Sequence, residues 1–163
     1  MISKLKVMAC ASLLACSSAT MAENQWYAEG QYVSVGADGV DLGGVGVSIG
    51  NNFTENLAVE FILGTGMGDD TYEGVDVELD SYYGIVLKPN MDVTDKVNVF
   101  LNLGYADFDV SASAGGYSAS ASTDEFLWGI GAQADFTDTL YGTASFLDVG
   151  DSDGFRVSLG FKF

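Results

Sequence analysis

From Trp26 onward, apolar residues recur at every second position, and clusters of Gly, Asp, Asn and Ser interrupt the pattern. A period of two fits a β-strand, whose successive side chains point to opposite faces. The last segment is the cleanest: Phe155, Val157, Leu159, Phe161 and Phe163 share one face, while Arg156, Ser158, Gly160 and Lys162 share the other. Eight such strands are expected, over residues 26–35, 44–53, 57–66, 75–87, 97–108, 124–136, 140–149 and 155–163. Compact connections near residues 52–56, 89–96 and 137–139 alternate with acidic or Gly/Ser-rich ones over 36–43, 67–74, 109–123 and 150–154. Hairpins therefore turn at two ends in alternation, the pattern of an all-β, eight-stranded antiparallel up-and-down barrel.

A barrel that alternates is either soluble or membrane-spanning, with opposite polarity. Here the apolar face carries large Phe, Trp, Leu, Ile and Val, too bulky for an eight-strand interior and suited to lipid. The other face is rich in Gly, Asn and Gln with few cations, unlike a soluble exterior of mixed charge. A transmembrane β-barrel is expected, with a soluble ligand-binding barrel as the inverted alternative. No segment reaches the roughly 18 consecutive apolar residues of a spanning helix.

Lys4 and Lys6 precede an apolar run from Val7 to Cys16 and small residues up to Ala22, which reads as a secretory signal over residues 1–22. Leu13-Leu14-Ala15-Cys16 also resembles a lipoprotein box that would lipidate Cys16, although Leu14 fits it poorly. Both cysteines, Cys10 and Cys16, lie in this segment, so ordinary cleavage leaves residues 23–163 as one barrel domain without thiol chemistry. Removal of the two lysines leaves four cations against 23 acids, a net charge of −19. Such a surface cannot track phosphates, which excludes nucleic acid as a partner. The 48% hydrophobic content argues against the disorder that acidity alone would suggest.

Asn52-Phe53-Thr54-Glu55-Asn56-Leu57 and Phe136-Thr137-Asp138-Thr139-Leu140, together with the aromatic strand ending at Phe163, resemble the eight-stranded outer-membrane barrels of the OmpA and OmpX type. The resemblance covers residues 26–163. It implies a place in the cell outer membrane, compact turns and both mature termini in the periplasm, and contact with membrane lipids and lipopolysaccharide. It also implies that the outer-membrane assembly machinery reads the terminal strand, Phe155, Val157, Leu159, Phe161 and Phe163. OmpA's peptidoglycan-binding domain has no counterpart expected here.

The chain has no histidine, so Ser-His, Cys-His and His-metal arrangements cannot be built, which argues against an enzyme. No cofactor is expected. Gly44, Gly46 and Gly50 have the wrong spacing for a phosphate loop and sit in a strand. The run from Asp148 to Gly154 fails as a calcium loop, because Val149 stands where an acid is required. Asp38, Asp41, Asp69, Asp70, Glu73, Asp151 and Asp153 offer weak sites for divalent cations that bridge lipopolysaccharide phosphates; a plainly solvated acidic surface is the favoured reading. Two aromatic girdles are expected, Trp26, Phe53, Phe136, Tyr141 and Phe163 at one rim and Tyr72, Tyr105, Phe108, Phe126 and Phe155 at the other.

Alternation points Glu29, Glu60, Asp80, Gln133, Asp135, Arg156 and Lys162 into the lumen. Glu29 is expected to meet Lys162, and Arg156 to reach Asp80, as a plug of paired charges. The functional expectation is a structural or interaction protein of the envelope with a side-chain-filled lumen; a narrow porin-like channel for small solutes is the alternative.

Overall fold

The computed structural model describes residues 25–37 and 39–163, so the signal segment expected over 1–22 and the acid Asp38 lie outside the described residues. The strands are β1 (Gln25–Ala37), β2 (Val40–Thr54), β3 (Leu57–Gly66), β4 (Asp69–Tyr72), β5 (Val75–Asp92), β6 (Val97–Ala114), β7 (Tyr117–Asp135), β8 (Leu140–Val149) and β9 (Ser152–Lys162). Eight of them close into an antiparallel ring, because β1 pairs with β9 and β3 with β5; β4 is a short extra strand on the start of β5. Ring closure pairs the edges that a β-structure in lipid cannot leave open.

The alternation sorts the side chains as expected. Val47, Phe61, Leu63, Ile130, Leu159 and Phe161 are each more than half exposed on the outer face. Glu29, Gln31, Glu60, Asn102, Thr143 and Arg156 are buried inside. Two girdle assignments are corrected. Tyr141 is 1% exposed and lies within the barrel, its ring occupying the space beside its cross-strand partner Gly160. Tyr27 repeats the arrangement over Gly50. A methyl group at either glycine would overlap the ring, so glycine there makes room for an inward tyrosine in a narrow lumen. Phe108 also turns inward and stacks on Tyr82, ring centroids 6.2 Å apart.

The end holding Gln25 and Phe163, here the near end, has turns at residues 55–56, 93–96 and 136–139. Thr54, Thr94 and Thr137 each accept a backbone N–H from two residues on, which satisfies groups that a turn would otherwise leave unpaired. The far end departs from expectation. Most of 36–43 and 109–123 and half of 67–74, read as loops, is strand: β6 and β7 run as one hairpin to a turn at Gly115 and Gly116. Gly39, Gly74, Gly115, Gly116 and Gly150 take the positive φ that tight hairpin turns need, so the Gly/Ser-rich sequence tightens the ends of hairpin arms.

Two features of β5 shift its inward residues. A bulge between Leu79 and Ser81 breaks the period, so Leu79 is buried and Asp80 is exposed, accepting a hydrogen bond from Ser111 Oγ at 2.9 Å. The expected lumenal Asp80 is thereby overturned, since one inserted residue inverts the alternation before it. Further on, β5 continues through Pro89 to Asp92. Its ladder to β6 passes from Leu87↔Leu103 directly to Asn90↔Phe100, as a residue without an N–H requires.

Inside, three layers follow from the near end. A polar vestibule of about 700 Å³ opens at the near end, lined by residues that include Asn52, Asn90, Asn98, Gln133 and Lys162. A layer of charged groups comes next. An apolar layer of Val33, Ile62, Leu79, Val86, Leu127 and Leu147 fills the lumen toward the far end.

Candidate functional site

The middle layer draws one ionised group from each of four strands: Glu29 from β1, Glu60 from β3, Lys88 from β5 and Arg156 from β9. Each is at most 4% exposed. Lys88 Nζ lies 2.9 Å from Glu60 Oε2 and 3.4 Å from Glu29 Oε1. Arg156 Nη1 lies 2.9 Å from Glu60 Oε1. Two carboxylates and two cations make the cluster electrically neutral, the condition under which a low-dielectric interior tolerates charge.

Neutral donors fill the remaining carboxylate positions. Tyr27 OH donates to Glu60 Oε2 at 3.1 Å, Tyr141 OH to Glu29 Oε1 at 2.9 Å, and Ser158 Oγ to Glu29 Oε2 at 2.7 Å. Arg156 also donates to Gln31 Oε1 and to Asn102 Oδ1, the latter at 3.1 Å. The Lys88 ammonium stands 4.5 Å from the centroid of the Phe100 ring and 5.4 Å from that of Tyr27, a cation–π arrangement on two sides. The network thus links β1, β3, β5, β6, β8 and β9 across the lumen rather than along the wall.

Of the lumenal residues expected from sequence, Glu29, Glu60 and Arg156 come together in this cluster. The partners differ from expectation. Lys162 pairs with Asp135, not Glu29, at 2.7 Å in a partly exposed pair at the near-end rim. Arg156 pairs with Glu60, because the bulge has taken Asp80 outside. Lys88 was not anticipated, because the strand was expected over 75–87 and a connection over 89–96, whereas Tyr82, Gly84, Val86 and Lys88 continue one alternating face.

The acidic far-end residues are dispersed over separate hairpin tips. Among the described residues no three carboxylates converge in a metal-binding group. Asp70 Oδ2 instead accepts the Asp41 N–H at 2.8 Å, tying β4 to the β1–β2 tip. The terminal-strand residues Phe155, Val157, Leu159, Phe161 and Phe163 are all exposed on the outer face.

A closed ring with an apolar exterior and a packed, ion-paired interior is the design of a small membrane barrel. The chain belongs to the outer membrane protein beta-barrel domain family, whose model matches residues 8–163. Among solved structures it is similar to the N-terminal β-barrel domain of OprF from Pseudomonas aeruginosa, with a TM-score of 0.67 at 14% identity over 85% of this chain and 97% of that one. It is similar to Ail, the attachment invasion locus protein of Yersinia pestis, with a TM-score of 0.61 at 19% identity over 86% and 98%. Neisserial surface protein A gives a TM-score of 0.60 at 14% identity over 88% and 98%. At such identities the likeness establishes the fold. No curated protein matches the chain.

Proposed function

We propose that this outer-membrane barrel is a closed, non-conducting protein with a structural or interaction role in the envelope, embedded among membrane lipids and lipopolysaccharide. The observation that carries this reading is the cross-lumen cluster of Glu29, Glu60, Lys88 and Arg156, backed by the apolar layer toward the far end. A solute would have to cross both layers in turn, separating buried charges in one and exposing apolar side chains to water in the other. The test is conductance in planar lipid bilayers. Purified protein is expected to give no steady openings, and Glu60→Ala with Arg156→Ala is expected to leave the apolar layer sealing it. Steady openings of the native barrel would favour the narrow porin-like channel.

The near end faces the periplasm in this reading, because its three turns are tight and the far end carries the taller hairpins. Labelling of intact cells with a membrane-impermeant maleimide tests it: Ser120→Cys is expected to react and Thr139→Cys to stay protected. Among the described residues, the charged side chains that the far end then presents to the exterior are all carboxylates. Ail has been solved with the heparin analogue sucrose octasulfate; a sulfated ligand of that kind is disfavoured here by like charge.

A further inference from the structure

The far end of the barrel is lopsided. Beyond the ring, β4 to β7 rise as one continuous sheet, with β5 paired to β6 as far as Asp76↔Ser113 and β6 to β7 as far as Ala114↔Tyr117. β8 and β9 turn back early, and β8 leaves β7 at the Leu127↔Val149 pair. Residues 117–126 of β7 therefore have β6 on one side and no paired strand on the other. The Gly150 N–H donates to the Phe126 carbonyl at 3.2 Å, which fixes the direction in which that residue's backbone points. Backbone polar groups alternate sides along an antiparallel strand. Asp124, Ser122, Ser120 and Ser118 accordingly aim theirs at the open side.

Exposed edges are ordinarily blunted by Lys, Pro, bulges or a covering element. This one reads Tyr117-Ser118-Ala119-Ser120-Ala121-Ser122-Thr123, with no charge and no proline, in unbroken register with β6. At about 3.3 Å per residue it offers an edge of roughly 23 Å. Short Ser and Ala side chains leave the backbone accessible along that length.

The electrostatic surroundings select the occupant. Asp107, Asp109, Asp124 and Glu125 flank the base of the hairpin, and the neighbouring tips carry Asp151 and Asp153. The four cations among the described residues all lie elsewhere: Lys88 and Arg156 are buried in the lumen, and Lys96 and Lys162 line the near-end vestibule. A second copy would bring like charge to this end, whereas a basic segment is steered toward it.

We propose that the open edge of β7 is a docking site for an extended segment of another protein bearing Lys or Arg, which adds as a further strand in line with β8. Main-chain hydrogen bonds supply the attachment and the acidic surroundings supply the preference, as in other cases of strand addition. This goes beyond the closed-barrel reading and requires only that the far end lies outside the bilayer.

The test uses the whole barrel in lipid nanodiscs and an eight-residue fluorescent peptide of alternating Lys and Val, with fluorescence anisotropy as readout. A second peptide of the same sequence is N-methylated at every residue, so that it keeps its charge but has no backbone N–H to donate along either edge. The unmodified peptide is expected to bind at least tenfold more tightly than the methylated one. Ser120→Pro and Ser122→Pro, which remove N–H groups from the open side without touching the β6 ladder, are expected to abolish that difference. Their heat-modifiable migration reports folding, and the two-peptide comparison stands without them. Equal binding of the two peptides, or unchanged discrimination by folded proline variants, overturns the proposal. Self-association of the native barrel that Ser120→Pro abolishes also overturns it, by assigning the edge to a second copy of the chain.

Discussion

Arg156 of β9 meets Glu60 of β3 across the lumen at 2.9 Å, with both side chains almost wholly withdrawn from water. An unpartnered charge in such a place is far more destabilising than a missing neutral pair. Glu60→Ala, which deprives both Arg156 and Lys88 of a partner, is expected to destabilise the barrel by about 3 to 5 kcal/mol. Adding Arg156→Ala is expected to cost less than the sum of the single losses. Urea unfolding in lipid vesicles measures both, and full additivity would mean that the charges do not sense one another.

Glu29 and Lys162 are expected to behave differently although both are ion-paired. Glu29 accepts from Lys88, Tyr141 and Ser158 in the buried layer, so Glu29→Ala leaves three donors short of an acceptor. Lys162 and Asp135 are 21% and 28% exposed at the rim, and Lys162→Ala is expected to cost no more than about 1 kcal/mol. Equal losses in the same titrations would contradict the layered interior.

Gly160→Ala sets a methyl group against the Tyr141 ring and displaces the donor to Glu29. Overpacking of this kind is expected to cost about 1 to 3 kcal/mol. The penalty is expected to shrink when Tyr141→Ala is made first, because the obstacle is the ring itself. A penalty independent of Tyr141 would point instead to the backbone at Gly160.

Leu101 and Ile130 face each other on the outer wall and are 42% and 56% exposed. Leu101→Arg or Ile130→Arg is expected to destabilise the barrel by about 2 to 4 kcal/mol if the site lies near the bilayer midplane. Gln133→Arg, at the wet vestibule, is expected to cost much less. The reverse order in vesicle unfolding would invert the assignment of inside and outside.

Phe163 stacks beside Phe161, with ring centroids 6.4 Å apart, on the outer face of the closing strand. Deletion of Phe163, or Phe163→Asp, is expected to lower the yield of heat-modifiable barrel in the outer membrane far more than Lys162→Ser. Equal yields from all three would remove the terminal ring from the assembly signal.

The ring of strands was legible because the period of two is imposed by the pleat, and Phe155 to Phe163 display it without interruption. The inner network was only partly legible. Parity gave Glu29, Glu60 and Arg156, but it cannot detect an inserted residue, and the bulge at Leu79 to Ser81 moved Asp80 outside. Lys88 lay just past the expected end of its strand; the strand in fact runs on through Pro89, whose missing N–H falls at a gap in the ladder. Tyr141 looked like a headgroup anchor; the signal that it turns inward is its pairing with Gly160, which only the register reveals. The hairpin arms over 109–123 were read as loop because Gly, Ser and Ala carry little strand preference, and pairing with β5 and β6 decides their state.

The apolar layer of Val33, Ile62, Leu79, Val86, Leu127 and Leu147 also isolates the ions beneath it from the medium beyond the far end. Dissolved salt weakens attraction between charges that share its water, over a screening length of about 8 to 10 Å at ordinary ionic strength. Glu29, Glu60, Lys88 and Arg156 share almost none of that water. Their mutual hold is therefore set by the protein and stays nearly constant from dilute to briny surroundings, while the wet Lys162–Asp135 pair at the rim slackens as salt rises.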